Sequence, residues 1–234
     1  MKKYSLYVES GPRRKTSMVH VIDLLGCIAR GTTTEEAIEA TPEAIRAYLR
    51  FLQQHGEKVK LAESFSTVVV QHIMEGSWIG YGDPAPGFAL DFKPLTEKDQ
   101  RVALRRLAWM QADLIDLTRA QSTKQLSAEP KTGGRSIEQI LDHVAESHAV
   151  YLRYLVGKVD GLSDALKAIK NPDGLIDGLS RTWEISNARL NELTERERKQ
   201  RVPHGQVMWT ARRALRRMLE HNWEHLLELR ERLA

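Results

Sequence analysis

Four long stretches with helical periodicity fill the chain after residue 95, and short helix-breaking runs separate them. The first stretch begins at Thr96, the second at Ser136 and the fourth after Thr210, and each of these residues is a favoured N-cap. Ser136 and Gln139 also have the spacing of a capping box. The breaks are EPKTGGR, the segment around NPDG, and RVPHGQ. This pattern predicts an all-α, up-down four-helix bundle over residues 95–234.

The chain before this region has a different period. Apolar and polar residues alternate in KKYSLYVES, which favours a half-buried strand. TSMVHVI and LLGCIARG predict two further strands, TTTEEAIEATPEAIRAYLRFLQQHG predicts a helix that Pro42 should bend or break early, and FSTVVVQHI predicts a fourth strand. This β-β-β-α-β order predicts an α+β module over residues 1–75. Residues 76–94 are typical of a linker or strap, and their aromatic residues predict that it docks onto a surface: Trp78, Tyr81, Phe88 and Phe92.

The stretch DLLGCIARGTTTEEAIEATPEAI, which leads into the helix, resembles the HicB family of antitoxin-like modules. That family often shows the pattern D-x-P-G-C-x-x-x-G-x-T-x-E-E-A, and here Leu25 stands where proline is usual. The resemblance covers residues 1–75. It implies a small α+β fold that binds a partner protein and has no catalytic residue of its own. The matching residues are Asp23, Gly26, Cys27, Gly31, Thr33, Glu35, Glu36 and Ala37.

Composition and charge exclude several classes of protein. With 234 residues, 41% hydrophobic and 28% charged, the chain has the make-up of a soluble globular protein. No run is long and apolar enough to span a membrane, the first residues lack the apolar core of a signal peptide, and the single Cys27 cannot form an internal disulfide. These features predict a cytoplasmic protein.

The net charge of +4 is concentrated in the second part of the chain. Its densest basic cluster is Arg212, Arg213, Arg216 and Arg217, which we expect to form a solvated helix face. Contact with an anion or a nucleic acid is the alternative. Binding to genomic DNA normally requires a stronger basic bias, so nucleic acid is not an expected partner.

His221 and His225 lie one helical turn apart, where two imidazoles can share a metal ion. Alternatively, both are polar residues on a helix flank. A metal site needs a third ligand, and the second helix offers His143 and His148. At about 100° per residue, His148 lies near the middle of the apolar stripe, which favours a packed histidine. His143 lies at the stripe's edge, where a cleft leaves coordination positions open to solvent, so we prefer His143.

SIEQILDH followed by WTARRALRRMLEHNWEH resembles the DinB-like family of metal-binding bundles. That family places one histidine on the second helix and HxxxH on the fourth, so the resemblance implies a metal site formed by His143, His221 and His225. It covers residues 96–234, with Arg135 standing where a tryptophan is common. All-imidazole ligation suits Zn, Ni, Co or Fe without distinguishing them. The other matching residues are Ser136, Gln139, Ile140, Leu141, Trp209 and Thr210.

Two functions from different classes follow. The first is a divalent-metal-dependent transferase or hydrolase that acts on a small molecule, and the resemblance implies a low-molecular-weight thiol as substrate. The second is a regulatory or scaffold protein, in which the metal is structural or absent. Its HicB-like module would bind a partner protein or self-associate through an open sheet edge. An RNA-interacting antitoxin is a third hypothesis that rests on fold analogy alone. The sequence identifies no catalytic residue.

Several side chains are candidates for supporting roles, each with a structural alternative. Arg217 precedes His221 by one turn and is a candidate anion contact. Trp109, Tyr151 and Trp183 are candidate pocket walls, with packing in the bundle core as the alternative. The remaining candidates either assist the imidazoles or are simply solvated: His204, Asp142, Glu146, Glu220 and Glu224.

Overall fold

The protein is described by a computed structural model that covers residues 1–76, 79–81, 86–131, 133–171 and 174–233. The chain divides into two compact units, Met1–Lys93 and Pro94–Ala234. The first unit contains a sheet and one long helix, and the second is helical. The predicted fold class is confirmed, whereas the division into residues 1–75, 76–94 and 95–234 stays a prediction.

The first unit has the predicted β-β-β-α-β order. Its sheet has the strand order β3-β2-β1-β4, in which β1 pairs antiparallel with β2 and parallel with β4. β2 pairs antiparallel with β3, so the first three strands form a meander and the helix crosses over to the fourth strand. The elements are β1 (Lys2–Ser10), β2 (Lys15–Val21), β3 (Cys27–Thr33), α1 (Thr34–Gln54) and β4 (Phe65–Ile73).

The HicB-like stretch forms the connection from β3 into α1, and its residue types have local structural reasons. A Cβ atom on Gly31 would lie 2.3 Å from the backbone nitrogen of Ala37, so the first turn of α1 requires glycine there. Thr33 caps the helix by accepting a hydrogen bond from the Glu36 N–H at 3.1 Å. The Glu36 carboxylate in turn accepts from the Thr32 N–H at 2.9 Å. The threonine–acid run therefore starts the helix.

Helix α1 continues through Pro42, so the predicted early break does not occur. Proline removes one main-chain hydrogen bond, but the face formed by Ile45, Tyr48 and Leu52 is fully buried and holds the helix across that position. The Tyr48 hydroxyl also donates a 2.7 Å hydrogen bond to the carbonyl oxygen of Leu25, the residue that replaces the usual proline. Helix and strand connection are thereby fixed to each other.

The described end of the Gly- and Pro-rich segment after β4, residues 86–93, packs within the first unit. The ring of Phe88 is fully buried and lies 5.4 Å from the ring of Tyr7 and 5.0 Å from that of His20. A short 3-10 helix, Ala89–Phe92, follows, and its Asp91 carboxylate accepts a hydrogen bond from the Phe88 N–H at 3.0 Å. The predicted docking of Trp78 lies outside the described residues.

The second unit contains the four predicted long helices, α2 (Glu97–Arg119), α4 (Ile137–Val156), α6 (Leu175–Asn191) and α8 (Ala211–Leu233). Thr96, Ser136 and Thr210 cap α2, α4 and α8 as expected. None of the helices in the described ranges is both long and apolar enough to cross a membrane. The sequence did not predict the short helices α3 (Thr123–Ser127), α5 (Leu162–Ile169) and α7 (Glu195–Lys199) or the hairpin of β5 (Val202–His204) and β6 (Val207–Trp209).

Helices α2 and α8 run side by side in the same direction. Near the start of both helices, Arg212 donates to the Asp99 carboxylate at 2.8 Å. Further along both, Arg230 donates to Asp113 at 2.6 Å. The two ion pairs follow the same order in both helices, which requires a parallel arrangement.

Helices α4 and α8 are antiparallel, because the earlier residue His143 lies beside His225 and the later residue His148 contacts Asn222. Helix α6 begins beside the first turns of α4, and the connection through α5 returns the chain to that end. The bundle is thus confirmed, and its helices run up, down, down and up rather than in simple alternation.

Candidate metal centre

Two imidazoles of α8 face the same point. His221 and His225 are one turn apart, both are 6% exposed, and their Nε2 atoms lie 3.2 Å apart. The capped start of α8 fixes the helical register, so both side chains project from the same helix face. The helix therefore supplies two preorganised nitrogen donors.

Helix α4 brings the third imidazole to this pair. The Nε2 atom of His143 lies 3.1 Å from the Nε2 atom of His221, and the donor atoms of all three histidines lie within 4.8 Å of one another. Imidazole nitrogens around a tetrahedral ion with bonds of about 2.0–2.1 Å lie roughly 3.3 Å apart. Across the described ranges, this is the one group of three His, Cys, Asp or Glu side chains with such convergence. We call these residues the imidazole cluster: His143, His221 and His225.

The environment keeps two imidazoles of the cluster, His143 and His221, neutral. Burial, with the Arg135 guanidinium and His225 as smaller causes, lowers the pKa of His143 to about 4. The pKa of His221 lies well below its ordinary value because the ring is buried and faces His225 and His143. A histidine must be neutral to bind a metal, so at neutral pH His143 and His221 have the required protonation state.

Glu228 orients the third imidazole. Its carboxylate accepts a hydrogen bond from Nδ1 of His225 at 2.8 Å, and this bond is the chief cause that lowers the pKa of Glu228. A proton held on Nδ1 leaves a lone pair on Nε2, directed at the cluster. Glu228 also forms an ion pair with Arg232. Sequence reasoning missed Glu228, although its position three residues after a ligand candidate was a usable signal.

His148 does not join the cluster. Its ring is fully buried in the core, and its Nε2 atom is hydrogen-bonded to the side-chain amide of Asn222. Burial lowers its pKa to about 4. The structure thus brings His143, rather than His148, to the histidines of α8, because His148 lies in the middle of the apolar face of α4. That His143, His221 and His225 bind a metal stays a prediction.

Comparison with known proteins identifies the families of both regions. Residues 106–229, more than half of the chain, match the family model of the DinB superfamily. The chain belongs to the DinB superfamily. Residues 4–124 match the HicB-like antitoxin of bacterial toxin–antitoxin systems, again over more than half of the chain, so the chain belongs to that family as well.

One curated relative matches the HicB-like region. A stretch of 42 residues is 45% identical to UPF0150 protein Ta0767 of Thermoplasma acidophilum. The match covers 18% of this chain and 61% of that protein, so the chain spans less than two thirds of the relative's length. No solved structure matches the chain. The DinB superfamily is generally metal-binding, and the imidazole cluster is compatible with that property.

The arginine cluster of this DinB-type bundle is buried, so the prediction of a solvated helix face is wrong for three of its four residues. Arg213, Arg216 and Arg217 are each 1% exposed. Both Arg216 and Arg217 donate hydrogen bonds of 2.8 Å to one carboxylate oxygen of Glu220, which is itself buried. The prediction that Glu220 is a solvated charge is wrong for the same reason. Glu220 lies four residues after Arg216 and three after Arg217. Its carboxylate compensates the two positive charges, so that they can be buried.

Two of the aromatic side chains considered from sequence, Tyr151 and Trp183, pack within the bundle. Tyr151 is buried and stacks on Trp209 with ring centroids 5.2 Å apart, and Trp183 is 2% exposed. His204 lies in β5 rather than in a loop, with its ring centroid 3.8 Å from that of Tyr154. These contacts favour structural roles for these aromatic residues.

A pocket of about 190 Å³ lies on another side of the DinB-type bundle, where α4 meets α5 and α6. Asp142, which directly precedes His143 in the chain, lines it, and burial together with the nearby Glu146 raises the pKa of Asp142. Glu146 forms a 3.0 Å ion pair with Lys170. The lining residues are Glu138, Gln139, Asp142, Ile169, Lys170 and Leu175, and they do not include the cluster.

Proposed function

We propose that the DinB-type bundle binds one divalent transition metal through the Nε2 atoms of His143, His221 and His225. The observation that carries this proposal is the approach of these atoms to 3.1 and 3.2 Å, where a shared cation would satisfy all three lone pairs. Zn, Ni, Co and Fe all accept imidazole donors, so the donor set leaves the metal's identity open within this group.

We further propose that the metal-loaded protein is a thiol-dependent transferase or hydrolase acting on a small molecule. A divalent ion held by three neutral imidazoles supplies a Lewis acid that polarises a substrate group or stabilises a thiolate. The chain's own residues position the ligands of this ion. Glu228 keeps the proton of His225 on Nδ1, and helix α8 holds the rings of His221 and His225 on the same face. His143 is only half-buried, so a small substrate approaches from its side.

The metal proposal is tested by elemental analysis of protein purified without a metal-affinity tag. We expect close to one transition metal per wild-type chain, and loss of that metal in His143→Ala and His221→Ala variants that stay helical by circular dichroism. His204→Ala is the matched control, because His204 is an exposed histidine outside the cluster. Full metal occupancy in both cluster variants would show that the ligand assignment is wrong.

The activity proposal is tested by screening low-molecular-weight thiols against electrophilic acceptors. Turnover should require the metal, disappear on chelation, return on reloading and be absent in His143→Ala. Metal binding without turnover across the panel would contradict the catalytic proposal and leave the ligand assignment intact.

A second candidate function is a regulatory or scaffold role, and the match to HicB-like antitoxins supports it. Here the first unit binds a partner protein, and any metal in the bundle is structural. Affinity capture with the full chain, compared in the presence and absence of chelator, tests this alternative. A stable stoichiometric partner together with no turnover would favour it over catalysis.

A further inference from the structure

An exposed arginine, Arg135, lies two residues before α4, at the open side of the imidazole cluster. His143 is the half-buried member of the cluster and therefore the one that solvent reaches most easily. Arg232 on α8 donates a 2.7 Å hydrogen bond to the carbonyl oxygen of Arg135 and also pairs with Glu228. The backbone of Arg135 is thus anchored to the helix that carries two of the cluster's three rings.

The guanidinium of Arg135 lies beside the cluster. Burial is the largest cause that lowers the pKa of His143, and the charge of Arg135 is the second, ahead of the His225 ring, whose centroid is 5.6 Å away. The pKa of Glu228 is lowered chiefly by its hydrogen bond to His225, and Arg135 is a smaller cause there. Because the effect of a charge falls with distance, an arginine that acts on both helices faces the cluster.

This place is electrostatically unfavourable for an arginine that has no ligand. In the described part of the chain, the Arg135 guanidinium forms no ion pair. A positive charge just before a helix opposes the helix dipole, and one beside metal ligands repels the cation that they bind. Arg217 does not serve as the open anion contact, because it is buried and donates to Glu220. An anion bound between Arg135 and the ion would remove both costs.

We propose that Arg135 holds a carboxylate of the thiol substrate while the sulfur of that substrate faces the imidazole cluster. This inference rests on the proposed function and narrows its substrate class to thiols that carry a carboxylate. Imidazoles are uncharged when they bind a metal, so a divalent ion here keeps its double positive charge, and an anionic substrate offsets part of it. Arginine suits the role because its planar guanidinium bonds both oxygens of a carboxylate.

The test compares the binding of mercaptopropionate and mercaptopropanol to the cobalt-loaded full chain, followed by the visible absorption of the ion. The two thiols have the same chain length, and one of them has a carboxylate where the other has a hydroxyl. We expect the wild type to bind mercaptopropionate about 10-fold more tightly, as one charge-assisted hydrogen bond would allow. Arg135→Gln should lose this preference and bind mercaptopropanol as the wild type does.

Two further variants show whether the preference comes from the guanidinium of Arg135. Arg153→Gln is the matched control, because Arg153 is an exposed arginine near the other end of α4, and it should keep the wild-type preference. Arg135→Lys keeps the charge without the planar fork and should recover part of the preference. A loaded wild type that binds both thiols equally, or an Arg135→Gln variant that keeps the preference, overturns the inference.

Metal content, measured in each variant before the thiols are added, separates this inference from the metal proposal. Arg135→Gln should hold as much cobalt as the wild type, because the substitution removes a positive charge and no ligand. A wild type that takes up no cobalt would contradict the metal proposal and this inference together. A loaded wild type without a carboxylate preference would overturn this inference and leave the metal proposal intact.

Discussion

The carboxylate of Glu228 lies 2.8 Å from Nδ1 of His225, one helical turn away on α8. This contact fixes which nitrogen of His225 carries the proton and which is left to bind a metal. Glu228 is held in turn by Arg232, so the orientation of one ligand depends on a short chain of charged contacts along a single helix.

Removing this carboxylate should weaken metal binding without removing a ligand. We expect Glu228→Ala to reduce metal affinity by about 10- to 100-fold, because His225 loses the group that fixes its tautomer and ring orientation. Competition with a chromophoric chelator measures the change. Glu231→Ala is the control, because Glu231 is an exposed carboxylate on the same helix. Equal affinities in the two variants would mean that Glu228 has no orienting role.

The stability of the metal-free protein should fall as the pH drops from about 6.5 to 4. His148 is fully buried and has its pKa lowered to about 4, so between these values the unfolded chain binds a proton that the folded chain does not. That difference favours unfolding by about 1.4 kcal/mol per pH unit for one such group. Urea titrations followed by tryptophan fluorescence measure it, since four of the five tryptophans lie in the second unit.

In His148→Gln, the free energy of unfolding should fall less steeply with decreasing pH than in the wild type. The difference in slope should correspond to one proton, because the variant lacks the imidazole that the unfolded wild type protonates. Parallel profiles for the two proteins would show that His148 is not a source of acid sensitivity.

The buried contact between Glu220 and two arginines should be costly to disrupt. Glu220→Gln removes the negative charge that Arg216 and Arg217 share, and we expect it to lower the free energy of unfolding by about 3–5 kcal/mol. Glu195→Gln is the control, because it breaks an exposed pair with Lys199 and should change the free energy by less than about 1 kcal/mol. If Glu220→Gln and Glu195→Gln both changed the free energy of unfolding by less than about 1 kcal/mol, solvent would have to reach Arg216 and Arg217.

The cap of α4 should contribute measurably to the helix that carries His143. Ser136→Ala removes the acceptor of the Gln139 N–H and should destabilise the bundle by about 1 kcal/mol. Thermal unfolding of the metal-free protein measures the change. Ser136→Thr, which keeps a hydroxyl, should recover most of the loss. An unchanged transition in Ser136→Ala would contradict a capping contribution.

Local rules made much of this fold predictable. The caps at Thr33, Thr96 and Ser136 follow from side chains that bond the first free N–H groups of a helix, and a few residues specify each. The angular position of His143 at the edge of an apolar stripe likewise depends on helical geometry alone. The sequence therefore predicts that His143 approaches α8, and the structure places its ring 5.6 Å from that of His225.

Features set by distant partners were not predictable in the same way. Arg216 and Arg217 have the spacing to Glu220 that a solvated surface pair would have, and only the packing around them distinguishes the two cases. The order of helix directions depends on the length of the α4–α6 connection and on α5, a short helix without a strong sequence signal. The hairpin before α8 spans few residues, and its proline and glycine also suit an irregular loop.

The two helices of the imidazole cluster contribute unequally, because α8 supplies two rings and α4 supplies one. If α4 detaches briefly while the rest of the bundle stays folded, His143 leaves and two donors remain, too few to retain a cation for long. We therefore expect the residence time of the ion to reflect how often this helix lifts away, and not the rate at which the whole protein unfolds. The bond between His148 and Asn222, further along the same pair of helices, opposes that movement.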